Sequence, residues 1–441
     1  MFSNKALKKL IIPLFLDQIL LTTVSITATM LLSYAGEAAF SGVSLVDMIN
    51  ILMIQILAAL AVGGAVVVSQ YIGLKDRDKA LTAASQLISV TAAIASMVTV
   101  VVLVFYMPIL RLLFGNVDPI VMKSAAMYFI VSSLSYPFLA LYNSGAALFR
   151  AMGNSRVPMV VSVFTNVLNI AGNALAIFVF HSGVMGVAIT TLLARVLAAV
   201  LVLALSFNAE NMIHIKLSRM LTYDKAMVSR ILKIAVPNGI ENGTTQLGRV
   251  LLVSITALFG TTQIAANGVA NSLSGIGLCF AAAMNLAIVP VVGQCVGAND
   301  YEQAKLYIVK LMKLTTIVTA VICLGQLLFM PLMLNMFSLS KESWRLSFIL
   351  VAISNIFEIF LWPASFTLPN ALRAAGDAKY TMKVSIGAMF VIRILVAYVL
   401  GVVFKMGVIG VYLAMVIDWG FRSTAYVLRY RNGKWMNFRV I

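Results

Sequence analysis

The chain has 441 residues, 61% of them apolar and only 11% charged, where soluble domains run at about 45–50% and about 25%. No soluble fold hides that much apolar surface, so a water-soluble enzyme or binding module is excluded. The formal charge of +17 suggests nucleic acid only until its placement along the chain is considered.

A helix crosses hydrocarbon with about 20 apolar residues. In chain order such stretches fall near 10–34, 46–72, 84–107, 120–146, 157–180, 184–206, 234–258, 264–294, 311–332, 346–370, 384–404 and 408–428. A membrane β-barrel would show short alternating segments instead of unbroken apolar runs. The expected fold is therefore all-α and integral to the membrane, with about 12 transmembrane helices. Of the 32 Lys and Arg, 24 fall on the segments facing one side and five on the other, with Arg195, Arg249 and Arg393 inside spans. That bias is the positive-inside signature, so a multi-pass protein of the cell membrane with both termini cytoplasmic is expected. It also accounts for the net charge without nucleic acid.

The start, with Lys5, Lys8 and Lys9 before an apolar run, resembles a signal peptide. An internal duplication argues otherwise. Pro13, Asp17 and Gln18 return as Pro237, Glu241 and Asn242 at a shift of 224. Gln70 and Gly73 return as Gln294 and Gly297, and Gly183 and Gly186 as Gly407 and Gly410, at the same shift. Arg150-Ala-Met-Gly153 returns as Arg373-Ala-Ala-Gly376 at a shift of 223. The first span thus has a counterpart in mid-chain and belongs to the fold. Each half carries six spans, an even number, so the repeats enter from the same side and are parallel, with a central cavity expected between two lobes. The lobes are set at residues 1–207 and 229–441, joined by a cytoplasmic linker over 208–228.

A charge at the bilayer centre costs at least about 2.5 kcal/mol, so span charges demand a partner, water or a function. Asp17 and Glu241 occupy equivalent places four residues after Pro13 and Pro237, and Glu358 and Asp418 lie near mid-span. Glu241, Thr245 and Arg249 form an i, i+4, i+8 stripe, with the outer charges roughly 12 Å apart and too distant to pair unaided. Asp418 and Arg422 are spaced for a local salt bridge. A carboxylate in a low-dielectric cavity favours its neutral form and can exchange a proton for a cation. Hydroxyls near Glu241, such as Thr244 and Thr245, could instead complete an oxygen shell for Na⁺, so both ions stay open. Asn169, Asn173, Gln246 and Asn271, with many Met and Phe, suit a polar cavity with apolar walls for bulky organic cations. Amides also glue membrane helices together, so packing is an alternative role for each. Cys279, Cys295 and Cys323 lie in or at the ends of spans and suggest neither disulfides nor a metal site.

The Arg150 and Arg373 loops, the segments Val68-Ser-Gln-Tyr-Ile-Gly73 and Val292-Gly-Gln-Cys-Val-Gly297, and Arg393-Ile-Leu-Val-Ala-Tyr398 resemble motifs of the multidrug and toxic compound extrusion (MATE) family. The likeness runs the whole chain. It implies two six-helix lobes in a V and efflux of organic cations or drugs driven by inward H⁺ or Na⁺. Glu241 matches the family's acidic position in the seventh span and becomes the first coupling candidate, followed by Asp17 and Glu358. Thr245, Gln246, Arg249, Asn169, Asn173, Asn271 and Arg393 are the expected cavity residues. Ala28 and Asn173 depart from the family, standing where many members carry Asp, and Glu358 lies about one turn from the usual tenth-span acid. The expected partners are small organic cations or drugs and membrane lipids, with no nucleic acid, no cofactor beyond the coupling ion, and a monomeric state. The nearest rival is a lipid-linked oligosaccharide flippase of the same superfamily, which would need a cationic cavity. A membrane enzyme has no support from a His-Glu-x-x-His pair, a Gly-x-Ser-x-Gly elbow or a P-loop.

Overall fold

In a computed structural model, which describes residues 2–34, 36–115, 117–337, 339–438 and 440–441, the described chain is helical throughout. Twelve successive helical segments follow the expected spans. They are α1 (Asn4–Ser33), α2 (Glu37–Gly73), α3 (Arg77–Phe114), α4 (Pro119–Leu134 with Tyr136–Ala151), α5 (Arg156–Phe178) and α6 (Gly183–Ser206). After these come α7 (Lys225–Ala257), α8 (Thr261–Gly277 with Cys279–Gly297), α9 (Tyr301–Asn335), α10 (Lys341–Ala374), α11 (Ala378–Val403) and α12 (Gly407–Arg431). Among the described residues nine helices are each long and apolar enough to cross a membrane, and ten when the bent α4 counts as one. The two that fall short, α7 and α12, hold Glu241 with Arg249 and Asp418 with Arg422. The chain is a multi-pass membrane protein.

Two spans read as unbroken in the sequence are interrupted. α4 bends by 41° at Ser135, where Pro137 lacks an N–H to bond the preceding turn. α8 breaks at Leu278, just after Gly275 and Gly277, which weaken a helix. α10 and α11 carry π-helical turns at Pro363–Thr367, Ala388–Ile394 and Val399–Val403, a wider winding that concentrates at functional sites.

The duplication extends to backbone shape where side chains have diverged. Lys75 and Asn299 both adopt left-handed φ (62° and 56°), as do His181 and Lys405 (48° and 56°), each pair 224 residues apart. Asp76 and Asp300 then cap α3 and α9, each accepting from a backbone N–H three residues on at 3.0 Å. That bond, from Lys79 N, is the main reason the Asp76 carboxyl sits below its ordinary value of 3.8. A depressed carboxylate stabilises the fold above that value and loses its contribution as pH falls through the folded one. Asp76→Ala is accordingly expected to cost about 0.5–2 kcal/mol near neutral pH, with the gap to wild type closing in acid. Unfolding midpoints measured across pH check this; a gap that widens on acidification contradicts it.

Contacts divide the chain into two compact units, Phe2–Gly239 and Ile240–Val440. The first is built on Val46, Phe129, Tyr136 and Ala140. Within it the turn Leu217–Leu221 lies on α3, with Arg219 paired to Asp78 at 2.9 Å and Gln86 Nε2 donating to the Arg219 and Thr222 carbonyls at 2.6 Å. The second unit packs on Ala270, Met330, Leu350 and Val408. There α11 and α12 approach so closely that a Cβ at Gly410 would meet the Gly401 nitrogen and the Leu400 carbonyl carbon at 2.7 Å. Backbone cannot yield as a flexible side chain does, so Gly410→Leu is expected to lower stability by about 1–3 kcal/mol. An unshifted thermal midpoint in detergent would contradict that packing.

Candidate transport site

In the second unit α7 carries Glu241 inward, 6% exposed, one turn beyond Pro237. Its Oε1 accepts from Arg373 Nη2 and from Ser385 Oγ, each at 2.5 Å, while Oε2 has no hydrogen-bond partner among the described residues. Arg373 is held in turn by Asn370 Oδ1 (2.7 Å) and Thr381 Oγ1 (3.2 Å). Tyr426 shares a 2.9 Å hydrogen bond with Ser385 and donates to the Thr381 carbonyl. Glu241 therefore pairs with the end of α10, not with Arg249 along its own helix. Thr244 donates to the Ile240 carbonyl, and Thr245 and Gln246 are half-buried on the next turn.

The first unit repeats this arrangement. Asp17, 7% exposed on α1, has Ser162 and Arg150 as its polar neighbours, and its Oδ1 has no hydrogen-bond partner among the described residues. The shift of 223 that relates Arg150 to Arg373 also relates Ser162 to Ser385. Each unit thus builds a carboxylate–arginine–serine cluster from the same three places in its repeat. The duplicated motif loops were visible in the sequence, but reading their arginines as surface charge hid the partners; the matching serines at the same shift were the available signal.

Other site candidates fall into separate networks. Glu358, 1% exposed on α10, is reached by Ser354 Oγ at 2.7 Å and Cys323 Sγ at 3.8 Å, both neutral donors. Its counterpart in the repeat is Ser135, at the bend of α4, which accepts from Arg195 Nη1 at 2.6 Å. The carboxylate of that layer in the first unit is Asp47, unrecognised in the sequence because it stands at the edge of its apolar run. It accepts from Tyr128 and Asn50 at 3.2 Å, and Tyr136 donates to Asn50 at 2.7 Å. Asn169 and Asn173 form a ladder across α5 and α6. Asn173 donates to Asn169 at 3.3 Å, Asn169 to Thr191 at 3.2 Å, and Thr190 to Asn173. Asn271 donates to Asn267 and accepts from Tyr412. Arg393, in the π-turn of α11, faces Asp418 at 3.8 Å, and Asp418 bonds Arg422 at 2.9 Å as the spacing predicted. Arg422 Nη2 also donates to the Ser385 carbonyl at 3.1 Å, so the Asp418 and Glu241 clusters are joined. Arg249 is exposed. Cys279, Cys295 and Cys323 are buried thiols, with no disulfide among the described residues.

A duplicated helical membrane protein whose buried carboxylates Asp17 and Glu241 recur at matched places in the two repeats belongs in class with membrane transporters. The chain belongs to the MatE family, whose model matches residues 13–175 and 237–399, two copies at the 224-residue shift. It is similar to the uncharacterized transporter YisQ of Bacillus subtilis, 24% identical over 96% of this chain and 93% of the relative. It is also similar to the probable multidrug resistance protein NorM of Thermotoga maritima, 26% identical over 98% of this chain and 93% of that one. A crystal structure of MATE in a bent conformation shares the fold, with a TM-score of 0.88 and 19% identity over 98% of this chain and 94% of that chain.

Proposed function

We propose that the protein is a secondary active multidrug efflux transporter, exporting organic cations or drugs through alternating access in exchange for H⁺ or Na⁺. The observation that carries this reading is the incomplete satisfaction of buried carboxylates: Glu358 meets only neutral donors, and at the matched positions 17 and 241 Asp17 Oδ1 and Glu241 Oε2 have no hydrogen-bond partner among the described residues. Burying an uncompensated carboxylate is expensive, and an arriving proton or metal cation removes that expense. Arg373 against Glu241 opposes a metal ion there, so Na⁺ finds a place only where no guanidinium competes. In this reading residues 1–207 and 229–441 are the moving bodies, 208–228 joins them on the cytoplasmic side with both termini, and the protein works as a monomer. Asn169, Asn173, Gln246, Thr245 and Asn271 supply hydrogen bonds to substrate. The drug-transporting names of relatives such as NorM point the same way.

Expressed in a bacterial host stripped of its own efflux pumps, the chain should lower ethidium accumulation, and an uncoupler of the proton gradient or removal of sodium should restore it. Accumulation equal to the empty vector, with protein confirmed in the membrane, would overturn the reading. Asp17→Asn keeps shape and removes charge from the first-unit cluster. It should leave partial efflux, because Glu241 and Glu358 remain; efflux at the wild-type rate would remove Asp17 from the mechanism.

A further inference from the structure

The linker turn Leu217–Leu221 meets α3 through polar ties that run largely to its backbone. Besides Gln86, which holds the Arg219 and Thr222 carbonyls, Ser89 Oγ donates to the Met220 carbonyl at 2.9 Å and Ser85 Oγ accepts from Lys216 N at 3.1 Å. Arg77 Nε donates to the Met212 carbonyl at 3.1 Å, and Arg219 reaches Thr82 Oγ1 at 2.9 Å as well as Asp78. The large apolar side chains are left facing outward: Leu221 is 82% exposed, Tyr223 71% and Leu217 62%. A turn that meets only protein and water does the reverse, burying its leucines and sending its polar groups out. These three residues also stand outside the apolar runs, so lipid contact within a span does not account for them. Lys216 and Lys225 flank them, and Lys225 is exposed. The segment that follows the last helix of the second repeat differs. Its Trp435 is 0% exposed, donates to the Tyr430 carbonyl at 3.0 Å and stacks on the Tyr430 ring with centroids 5.9 Å apart. At the 224-residue shift its counterpart is Asn211, whose Nδ2 donates to the Leu205 carbonyl at 2.8 Å. The two segments thus start alike, and among the described residues only the linker goes on to turn three large apolar side chains outward. Leucines beside lysines suit the headgroup zone of a bilayer, where apolar chains enter, Tyr sits at the polar boundary and ammonium groups meet anionic lipid.

We propose that the linker over 216–225 docks on an anionic lipid surface, with Leu217, Leu221 and Tyr223 entering the headgroup zone and Lys216 and Lys225 meeting lipid phosphates. The polar ties to α3 set the depth and orientation of the turn, so the segment that joins the repeats is itself a membrane contact of the first unit. This goes beyond the efflux reading and does not depend on it.

Full-length protein in nanodiscs is labelled with bimane at Leu221→Cys and, separately, at Leu217→Cys, with wild type treated identically to subtract any signal from the buried native thiols. The expected result is blue-shifted emission that is quenched by lipid carrying a headgroup nitroxide and shielded from aqueous acrylamide. Water-like emission open to acrylamide overturns the proposal. Shielding without quenching by the labelled lipid overturns it too, and assigns the face to protein, a second copy included. Hydrogen exchange over 216–223 reads the contribution of charge without a label. It should slow at least about fivefold when phosphatidylglycerol is added to a neutral lipid, and that slowing should be lost in Lys216→Gln with Lys225→Gln. Equal exchange by wild type in the two lipids overturns the proposal. Both readouts are independent of transport, so they stand or fall apart from the efflux reading.

Discussion

Glu241→Gln is expected to reduce gradient-driven efflux to the level of protein-free liposomes while the protein still folds. The amide keeps an oxygen where Oε1 accepts from Arg373 and Ser385, so the packing of α7 against α10 and α11 survives. What disappears is a group that can be charged in one step and neutral in the next, and a coupling site needs both states. Arg373 is then left without its counter-charge whatever the ion gradient, which lowers stability as well as removing the switch. The consequence extends beyond one residue, since Ser385 links Glu241 to Tyr426 and, through its carbonyl, to Arg422. Efflux by Glu241→Gln at half the wild-type rate or more, with folded protein confirmed in the membrane, would place coupling elsewhere, with Glu358 the next candidate.

Asp418→Asn should cause the largest loss of stability. Asp418 is 0% exposed and is the carboxylate facing Arg393 and Arg422. Removing one member of a buried ion pair leaves the other uncompensated and costs about 3–5 kcal/mol. The loss should appear as a lowered thermal midpoint in detergent. It should shrink in the double variant Asp418→Asn with Arg422→Met, because the stranded charge is gone, and the difference between single and double variants measures the coupling. Additive losses would show that the two side chains act independently and would contradict the ion-pair account.

The sequence made twelve helices and their duplication legible because the signals are strong: unbroken apolar runs, a one-sided distribution of Lys and Arg, and motif pairs at a fixed shift. It hid the bend at Ser135, the break at Leu278 and the π-turns of α10 and α11, since an apolar run looks alike whether its helix is regular or kinked. The local Asp418–Arg422 pair was readable from i, i+4 spacing. The Glu241–Arg373 pair was not, because its members are 132 residues apart and Arg373 counts equally well as a positive-inside charge. Asp47 was overlooked for a similar reason: position at the rim of a span looks like solvent exposure until Tyr128, Asn50 and Ser132 are seen around it. Matched left-handed residues such as Lys75 with Asn299 show that the repeat is kept in backbone geometry after side-chain identity has drifted, a level that comparison of letters misses.

The central claim is that ion movement through buried carboxylates drives substrate out, and it is tested most directly in liposomes holding purified protein. Transport of an ethidium-type cation is followed with a proton gradient and a sodium gradient imposed separately, for the wild type and for Glu241→Gln with Glu358→Gln. The account predicts transport driven by at least one gradient in the wild type and none in the double variant. Folded wild-type protein that moves no cation under either gradient, or a double variant that moves it as fast, would contradict the account.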